Sequence, residues 1–222
     1  MFVMSRLRIA LSALSIVGVL CTLGRAAPVP EGRAEKPYLP TTKGTVLVYQ
    51  YTTNDDEGRP VHDEVTNVVT AVAKTDAGTV VTLSHQLEGS AYGATDTFLI
   101  SEKGLFTTGT SMTGPDIKGE QSWKIDPPAC LLQLPHKDGT KWEYNCPAQP
   151  GGLVGVKATN AARGPEEVVV PAGKYRAIRV EQRGKTNGKD TTATFWYAPE
   201  VGLVKMEGEG AVQELKSITP GK

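Results

Sequence analysis

Two successive hairpin signals lie between residues 168 and 206. Runs of β-branched and aromatic residues flank a Pro-Ala-Gly turn at residues 171–173, and similar runs flank a second turn at residues 199–202. Outside the first 26 residues, no helix-length window spaces apolar residues by three and four without interruption by Gly, Pro or β-branched residues. The sequence therefore predicts an all-β fold built from antiparallel meanders.

Residues 1–26 have the layout of a secretory signal peptide. Arg6 and Arg8 precede an apolar run at residues 9–24, and small residues end the segment. Cleavage after Ala26 would place Ala26 and Gly24 at the two positions where signal peptides need small side chains. The sequence predicts a secreted or periplasmic protein, cleaved after Ala26.

Cys21 lies near the end of this apolar run, where a lipid-anchored cysteine could stand. The bulky Leu20 precedes it, whereas a lipoprotein signal needs a small residue there, so we do not expect a lipid anchor at Cys21. An uncleaved membrane anchor is the other alternative, but residues 9–24 are fewer than the ~20 that span a bilayer. No other apolar run approaches that length, so we expect no stable membrane insertion after cleavage.

The charge balance argues against nucleic acid as a partner. Removal of residues 1–26 takes away three arginines and no acidic residue, which leaves 21 basic against 24 acidic residues and a net charge of −3. A chain without a basic excess has no electrostatic reason to bind nucleic acid or an anionic membrane.

Two cysteines remain after the signal peptide, Cys130 and Cys146. Cysteine pairs usually bridge in an oxidising compartment. Asp138, in a turn-like segment, is eight residues from each of them, so a hairpin folded about it would place the two cysteines opposite each other. The sequence predicts a Cys130–Cys146 disulfide worth about 3 kcal/mol, with unpaired core thiols as the alternative.

An internal repeat divides the chain. The pattern Leu-Pro-x-x-x-Gly-Thr-x-x-x-Tyr begins at Leu39 and again at Leu134, 95 residues later. Thr97-Phe98 and Gly104-Leu105 recur in the same order as Thr194-Phe195 and Gly202-Leu203. We predict a disordered leader at residues 27–37, a first β repeat at residues 38–116 and a second at residues 117–222.

Three motifs in the second repeat carry a resemblance to a known family. They are Pro-x-x-x-Gly-x-x-Trp-x-Tyr from Pro135, Val-Pro-Ala-Gly-Lys-Tyr from Val170 and Trp-Tyr-Ala-Pro-x-x-Gly-Leu-Val-Lys from Trp196. Over about residues 132–217 the chain resembles the TapB-type domains, a group of bacterial exported domains of unknown function. The resemblance implies a curved sheet, remotely similar to the half-barrels of LolA-type lipoprotein carriers, and it implies no catalytic residues. The chain lacks obvious helices to cover the concave face, unlike those carriers.

No set of residues has the spacing of a reaction centre. His62, His85 and His136 lie in different elements, without metal-ligand spacing to one another or to a cysteine. The acidic stretch at residues 54–64 lacks the spacing of a calcium loop and indicates a solvated hairpin tip. We predict no catalysis, no metal and no cofactor; a hydrolase that uses residues 55–64 is a remote alternative.

The predicted function is a binding or interaction module of the cell envelope. Its partner would be an apolar small molecule held against the sheet, or an envelope protein. The alternative is a structural or assembly-partner protein without a small ligand. Five aromatic residues are candidates to face a ligand, with core filling as the alternative role; they are Trp123, Trp142, Tyr175, Trp196 and Tyr197.

Overall fold

The computed structural model describes residues 36–55 and 57–222, which belong to one compact unit. The described residues form twelve β-strands and no helix, so the predicted all-β antiparallel fold is confirmed. The strands are β1 (Val46–Asn54), β2 (Pro60–Thr75), β3 (Gly78–Leu87), β4 (Gly93–Ser101), β5 (Gly104–Thr113), β6 (Gln121–Gln133), β7 (Lys141–Cys146), β8 (Val156–Val170), β9 (Gly173–Thr186), β10 (Lys189–Ala198), β11 (Gly202–Gly208) and β12 (Ala211–Thr219).

All twelve strands belong to one sheet. Its order is β6-β5-β4-β3-β2-β1-β12-β11-β10-β9-β8-β7. Strands that are consecutive in sequence pair with each other, except that β6 does not pair with β7. These two strands form the ends of the sheet, and β1 pairs with β12 in its middle. Register shifts interrupt several pairs, for example β1 with β12 and β5 with β6, and such bulges bend a sheet and increase its twist. The sheet curls into a nearly closed barrel, which is more complete than the predicted half-barrel.

The barrel closes at β6 and β7 through side chains rather than a backbone ladder. The indole Nε1 of Trp142 donates a hydrogen bond to the carbonyl oxygen of Cys130 at 2.9 Å. The indole Nε1 of Trp123 donates to the carbonyl oxygen of Pro150 at 2.8 Å. We call this junction of β6 with β7 and the loop after it the seam. Its indole groups satisfy backbone carbonyls that an open sheet edge would leave unpaired.

The predicted disulfide between Cys130 and Cys146 is not present, because both cysteines are free thiols. The chain does not fold into a symmetric hairpin about Asp138; Trp142 instead of Cys146 lies beside Cys130. Cys146 is four residues further along β7, about 13 Å of extended strand, and it packs in a cluster with Ile125. The register of the seam therefore separates the two thiols.

We expect both thiols to react slowly with Ellman's reagent in the folded protein and fully in urea. Burial raises the pKa of Cys130 to about 11 and also raises the pKa of Cys146, so the reactive thiolate is scarce at neutral pH. The measurement is thiol release at pH 7.5 from residues 27–222, with and without urea and without reductant. No reactive thiol in urea would show that the bridge forms after all.

The main core lies within the barrel, and the start of the described chain covers one end of it. Tyr38 and Leu39 are buried in the same cluster as Val69 and Leu132. Lys36 and Pro37, which were predicted to belong to a disordered leader, both contact Glu200. The Lys36 Nζ lies 2.6 Å from Glu200 Oε2, and the Pro37 carbonyl oxygen accepts a hydrogen bond from the Glu200 amide. The predicted signal peptide and Cys21 lie outside the described residues.

The two Leu-Pro motifs lead into loops that make equivalent hydrogen bonds. The amide of Gly44 donates to the Val69 carbonyl at 2.8 Å, and the amide of Gly139 donates to the Ala162 carbonyl at the same distance. Each motif precedes six strands, β1 to β6 and β7 to β12. These matched contacts support the predicted repeat. The repeat and its boundary between residues 116 and 117 stay predictions. Strand β6 follows that boundary in the sequence but pairs with β5 of the first half.

Candidate functional site

A cavity of about 280 Å³ lies inside the barrel. Alternate residues of neighbouring strands line it, as expected where one face of each strand points inward. Most of the lining is apolar, including Leu47, Leu83, Phe98, Phe195 and Leu203, and it comes from both halves of the chain. A concave apolar space with few polar groups is the usual form of a small-molecule site.

One end of the barrel is open to solvent. The side chains of Val61, Leu87 and Met112 are at inward-facing positions of their strands, yet their exposed fractions are 38–40%. Inward side chains with that exposure mark a mouth, which we define by these three residues. Two further exposed apolar residues, Tyr92 and Val154, are on loops at the same end. The opposite end is covered by the buried Tyr38 and Leu39.

A row of polar side chains crosses four neighbouring strands on the inner wall. Asn67 on β2 is directly opposite His85 on β3, and its Oδ1 lies 2.8 Å from His85 Nδ1. His85 Nε2 lies 3.0 Å from Asp96 Oδ2 on β4. Asp96 is in turn opposite Thr110 on β5, whose hydroxyl interacts with its carboxylate. We call Asn67, His85, Asp96 and Thr110 the polar row.

The polar row holds the carboxyl group of Asp96 in its charged form. Burial raises the pKa of Asp96, but the ring of His85 and the hydroxyl of Thr110 together outweigh burial and lower it. The charge of Asp96 also affects Tyr144 on β7. The pKa of Tyr144 is raised to about 12, with burial as the largest cause and the nearby Cys146 and Asp96 as smaller ones. The cavity therefore contains the negative charge of Asp96, and its own phenol groups, Tyr49 and Tyr197, are neutral because burial raises their pKa values.

Replacement of Asp96 by asparagine is expected to cost about 1 kcal/mol of unfolding free energy at pH 5 and less at lower pH. A carboxyl group whose native pKa is lowered stabilises the fold above its unfolded pKa of about 3.9, and that stabilisation is lost as the pH falls through the native value. The difference between wild type and Asp96→Asn should therefore shrink between pH 5 and pH 2.5. Urea unfolding measures it, with the exposed Asp76→Asn as control; a difference that grows toward low pH would contradict the pairing.

The five candidate aromatic residues are distributed over the molecule, and only Tyr197 among them lines the cavity. Trp123 and Trp142 make the seam. Trp196 donates from its indole Nε1 to Glu166 Oε1 at 2.8 Å, and the ammonium group of Lys205 lies 5.7 Å from its ring centroid. Tyr175 packs in a separate cluster with Val168 and Val170.

The other residues singled out from the sequence have local partners. Nδ1 of His62 lies 2.9 Å from the Thr52 hydroxyl, and Nε2 of His136 lies 2.6 Å from the Gly164 carbonyl oxygen. Asp55 binds the backbone and guanidinium of Arg59, and this contact lowers the pKa of Asp55. Within residues 36–55 and 57–222, no three His, Cys, Asp or Glu side chains are grouped as a metal site would need.

A larger groove of about 680 Å³ lies beside the β2–β3 and β4–β5 turns. Its charged residues, Asp76, Glu102 and Lys103, are exposed, and its apolar part is formed by Leu99, Phe106 and Pro128. Exposed charges are well solvated and hold a ligand weakly. The interior cavity, where polar groups are partly desolvated, is therefore the stronger candidate.

Sequence reasoning missed the polar row. Its members are separated by 11 to 18 residues, and only strand register brings them together. A signal was nevertheless present, because each of the first three interrupts an apolar alternation: Asn67 between Val65 and Val69, His85 between Leu83 and Leu87, and Asp96 between Ala94 and Phe98.

Solved structures show relatives of the fold. A protein of Bacteroides fragilis, described as exported and as having a YmcC-like fold, matches 83% of this chain and 99% of its own chain with a TM-score of 0.55 and 14% identity. A protein of Parabacteroides distasonis, described as a lipoprotein, matches 84% of this chain and all of its own with a TM-score of 0.51 and 14% identity. At this identity the likeness shows the fold alone.

No protein-family profile and no curated protein matches the sequence significantly. Neither matched structure is described as a TapB-type domain or a LolA-type carrier, so that predicted resemblance is not confirmed. Among the residues that the structure describes, no helix is long and apolar enough to cross a membrane.

Proposed function

We propose that this chain is an exported protein of the cell envelope that binds a small amphipathic molecule inside its barrel. The observation that carries the proposal is the apolar cavity of about 280 Å³, which has one polar wall and an exposed apolar mouth. Export is supported by the signal-like residues 1–26 and by two proteins of the same fold that are described as exported or as a lipoprotein.

The size of the cavity limits the ligand. At about 30 Å³ for each water molecule, the space corresponds to about nine waters, and so to a molecule of about nine non-hydrogen atoms. Long acyl chains would have to extend through the mouth. Because the lining is mainly apolar, burial of the ligand's apolar body would provide most of the affinity.

We include the absence of catalysis in the proposal. Both ring nitrogens of His85 face side chains of the polar row, Asn67 on one side and Asp96 on the other. A general base needs a nitrogen directed at the proton that it removes, and a nucleophile within hydrogen-bond reach. Among the described residues, no serine, threonine or cysteine side chain forms a hydrogen bond with His85.

The test combines a filled cavity with a matched surface change. Val65→Phe would place a bulky ring in the cavity, whereas Val68→Phe makes the same substitution on the opposite face of β2. Binding of 1-octanol, measured by calorimetry with residues 27–222, should weaken at least tenfold in Val65→Phe and stay within about twofold of wild type in Val68→Phe. Native mass spectrometry of the protein purified from its own cells would search for the natural ligand.

The competing hypothesis is an assembly partner that binds no small molecule. The exposed apolar residues of the mouth favour it, because patches of that kind also occur at protein interfaces. It predicts that 1-octanol does not bind, that no small molecule accompanies the purified protein, and that an envelope protein co-purifies through the mouth. The variant Met112→Glu would then release that partner.

A further inference from the structure

Asp96 gives the cavity a negative charge. Among the described residues that line the cavity there is no lysine or arginine, and Asp96 is the one acidic residue. Its carboxylate lies on the inner wall next to the ring of His85. An anionic ligand would therefore meet a carboxylate and no permanent cation. A ligand that carries an amino group would meet a charge of opposite sign.

We propose that the cavity selects small amines, with the carboxylate of Asp96 accepting a hydrogen bond from the ligand's ammonium group while the apolar wall holds its hydrocarbon body. This inference rests on the proposed function and names the class of ligand. The molecule would be a primary amine with about nine non-hydrogen atoms, as the cavity volume requires.

The hydrogen-bonding capacity of the polar wall supports this choice. His85 Nε2 lies 3.0 Å from Asp96 Oδ2 and has no other polar partner within the described part of the chain. The carboxylate has several acceptor sites and uses few of them on Thr110 and His85. Gln213 on β12 also lines the cavity and has an amide carbonyl as a further acceptor. An ammonium group donates three hydrogen bonds and accepts none, so it suits these acceptors.

The energetic argument concerns desolvation. An ammonium group that enters an apolar cavity loses water, and a charge-assisted hydrogen bond to a fixed carboxylate compensates for much of that loss. A carboxylate ligand would lose water as well and would also be repelled by Asp96, whose lowered pKa keeps it ionised at neutral pH. An alcohol pays little desolvation and gains a neutral hydrogen bond. The expected order of affinity is amine, then alcohol, then carboxylate.

The experiment compares three probes of one length: octylamine, 1-octanol and octanoate. Calorimetry at pH 7.5 with residues 27–222 should give octylamine an affinity at least tenfold higher than that of octanoate. In Asp96→Asn the affinity for octylamine should fall at least tenfold while that for 1-octanol stays within about threefold, which also shows that the variant is folded. In His85→Gln, which keeps the carboxylate, octylamine should remain the preferred probe.

Each failure has a distinct meaning. Equal affinity for all three probes in the wild type would overturn the selection of amines and leave the binding function intact. A preference for octylamine that survives in Asp96→Asn, or disappears in His85→Gln, would show that the carboxylate does not make the selection. If none of the three binds, the proposed function fails together with this inference.

Discussion

Replacement of Trp123 by alanine is expected to lower the free energy of unfolding by about 3 to 5 kcal/mol. Trp123 is buried on the inner side of β6, where it is opposite Thr110, and its indole Nε1 donates to Pro150 across the seam. Alanine removes both the packed ring and the hydrogen bond. The loss would fall at the one junction of the barrel that no backbone ladder holds. Urea unfolding followed by far-ultraviolet circular dichroism measures it.

The phenylalanine variant separates the two contributions of Trp123. Trp123→Phe keeps an aromatic ring but loses the N–H group, and Pro150 is exposed, so water can replace the lost donor at a cost of about 1 kcal/mol. As a control, Trp196→Ala removes a half-buried indole away from the seam and should cost less than Trp123→Ala. If Trp123→Phe costs as much as Trp123→Ala, the hydrogen bond and not the packing closes the barrel.

The strands of this chain were largely predictable, because their signals are local. The turn at residues 171–173 predicted the β8–β9 hairpin, and the turn at residues 199–202 predicted the β10–β11 hairpin. Barrel closure was not predictable in the same way. It depends on Trp142 reaching Cys130 and on Trp123 reaching Pro150, 27 residues away, and no periodic pattern encodes such contacts.

The predicted disulfide failed for a related reason. Symmetric spacing about Asp138 predicted a two-stranded hairpin, but the chain places β6 and β7 at opposite ends of the sheet order, where side chains set the register. The candidate site shows the same limit. Tyr197 was predicted from its residue type, whereas Asn67, His85 and Asp96 become neighbours only through the pairing of β2 with β3 and of β3 with β4.

Gly104→Ala is expected to cost about 2 to 6 kcal/mol of unfolding free energy. Gly104 begins β5 with a φ of 141°, a backbone conformation that side-chain-bearing residues rarely adopt. A Cβ atom there would also overlap the carbonyl oxygen of Leu132 on β6, which is backbone and cannot rotate away. The substitution therefore combines conformational strain with the displacement of a neighbouring strand, and it should be measured by urea unfolding.

Gly173→Ala is the matched control, because it introduces similar strain without the overlap. Gly173 begins β9 with a φ of 130°, and a Cβ there would meet no atom within 4 Å. Its alanine variant should cost only the strain, about 1 to 3 kcal/mol. The additional loss of unfolding free energy at Gly104 then measures how closely β6 packs against the β4–β5 turn. Because β6 forms one side of the seam, it also measures how rigidly the seam is held. Equal costs at the two glycines would show that β6 yields easily, which would contradict a barrel whose last strand is fixed in register.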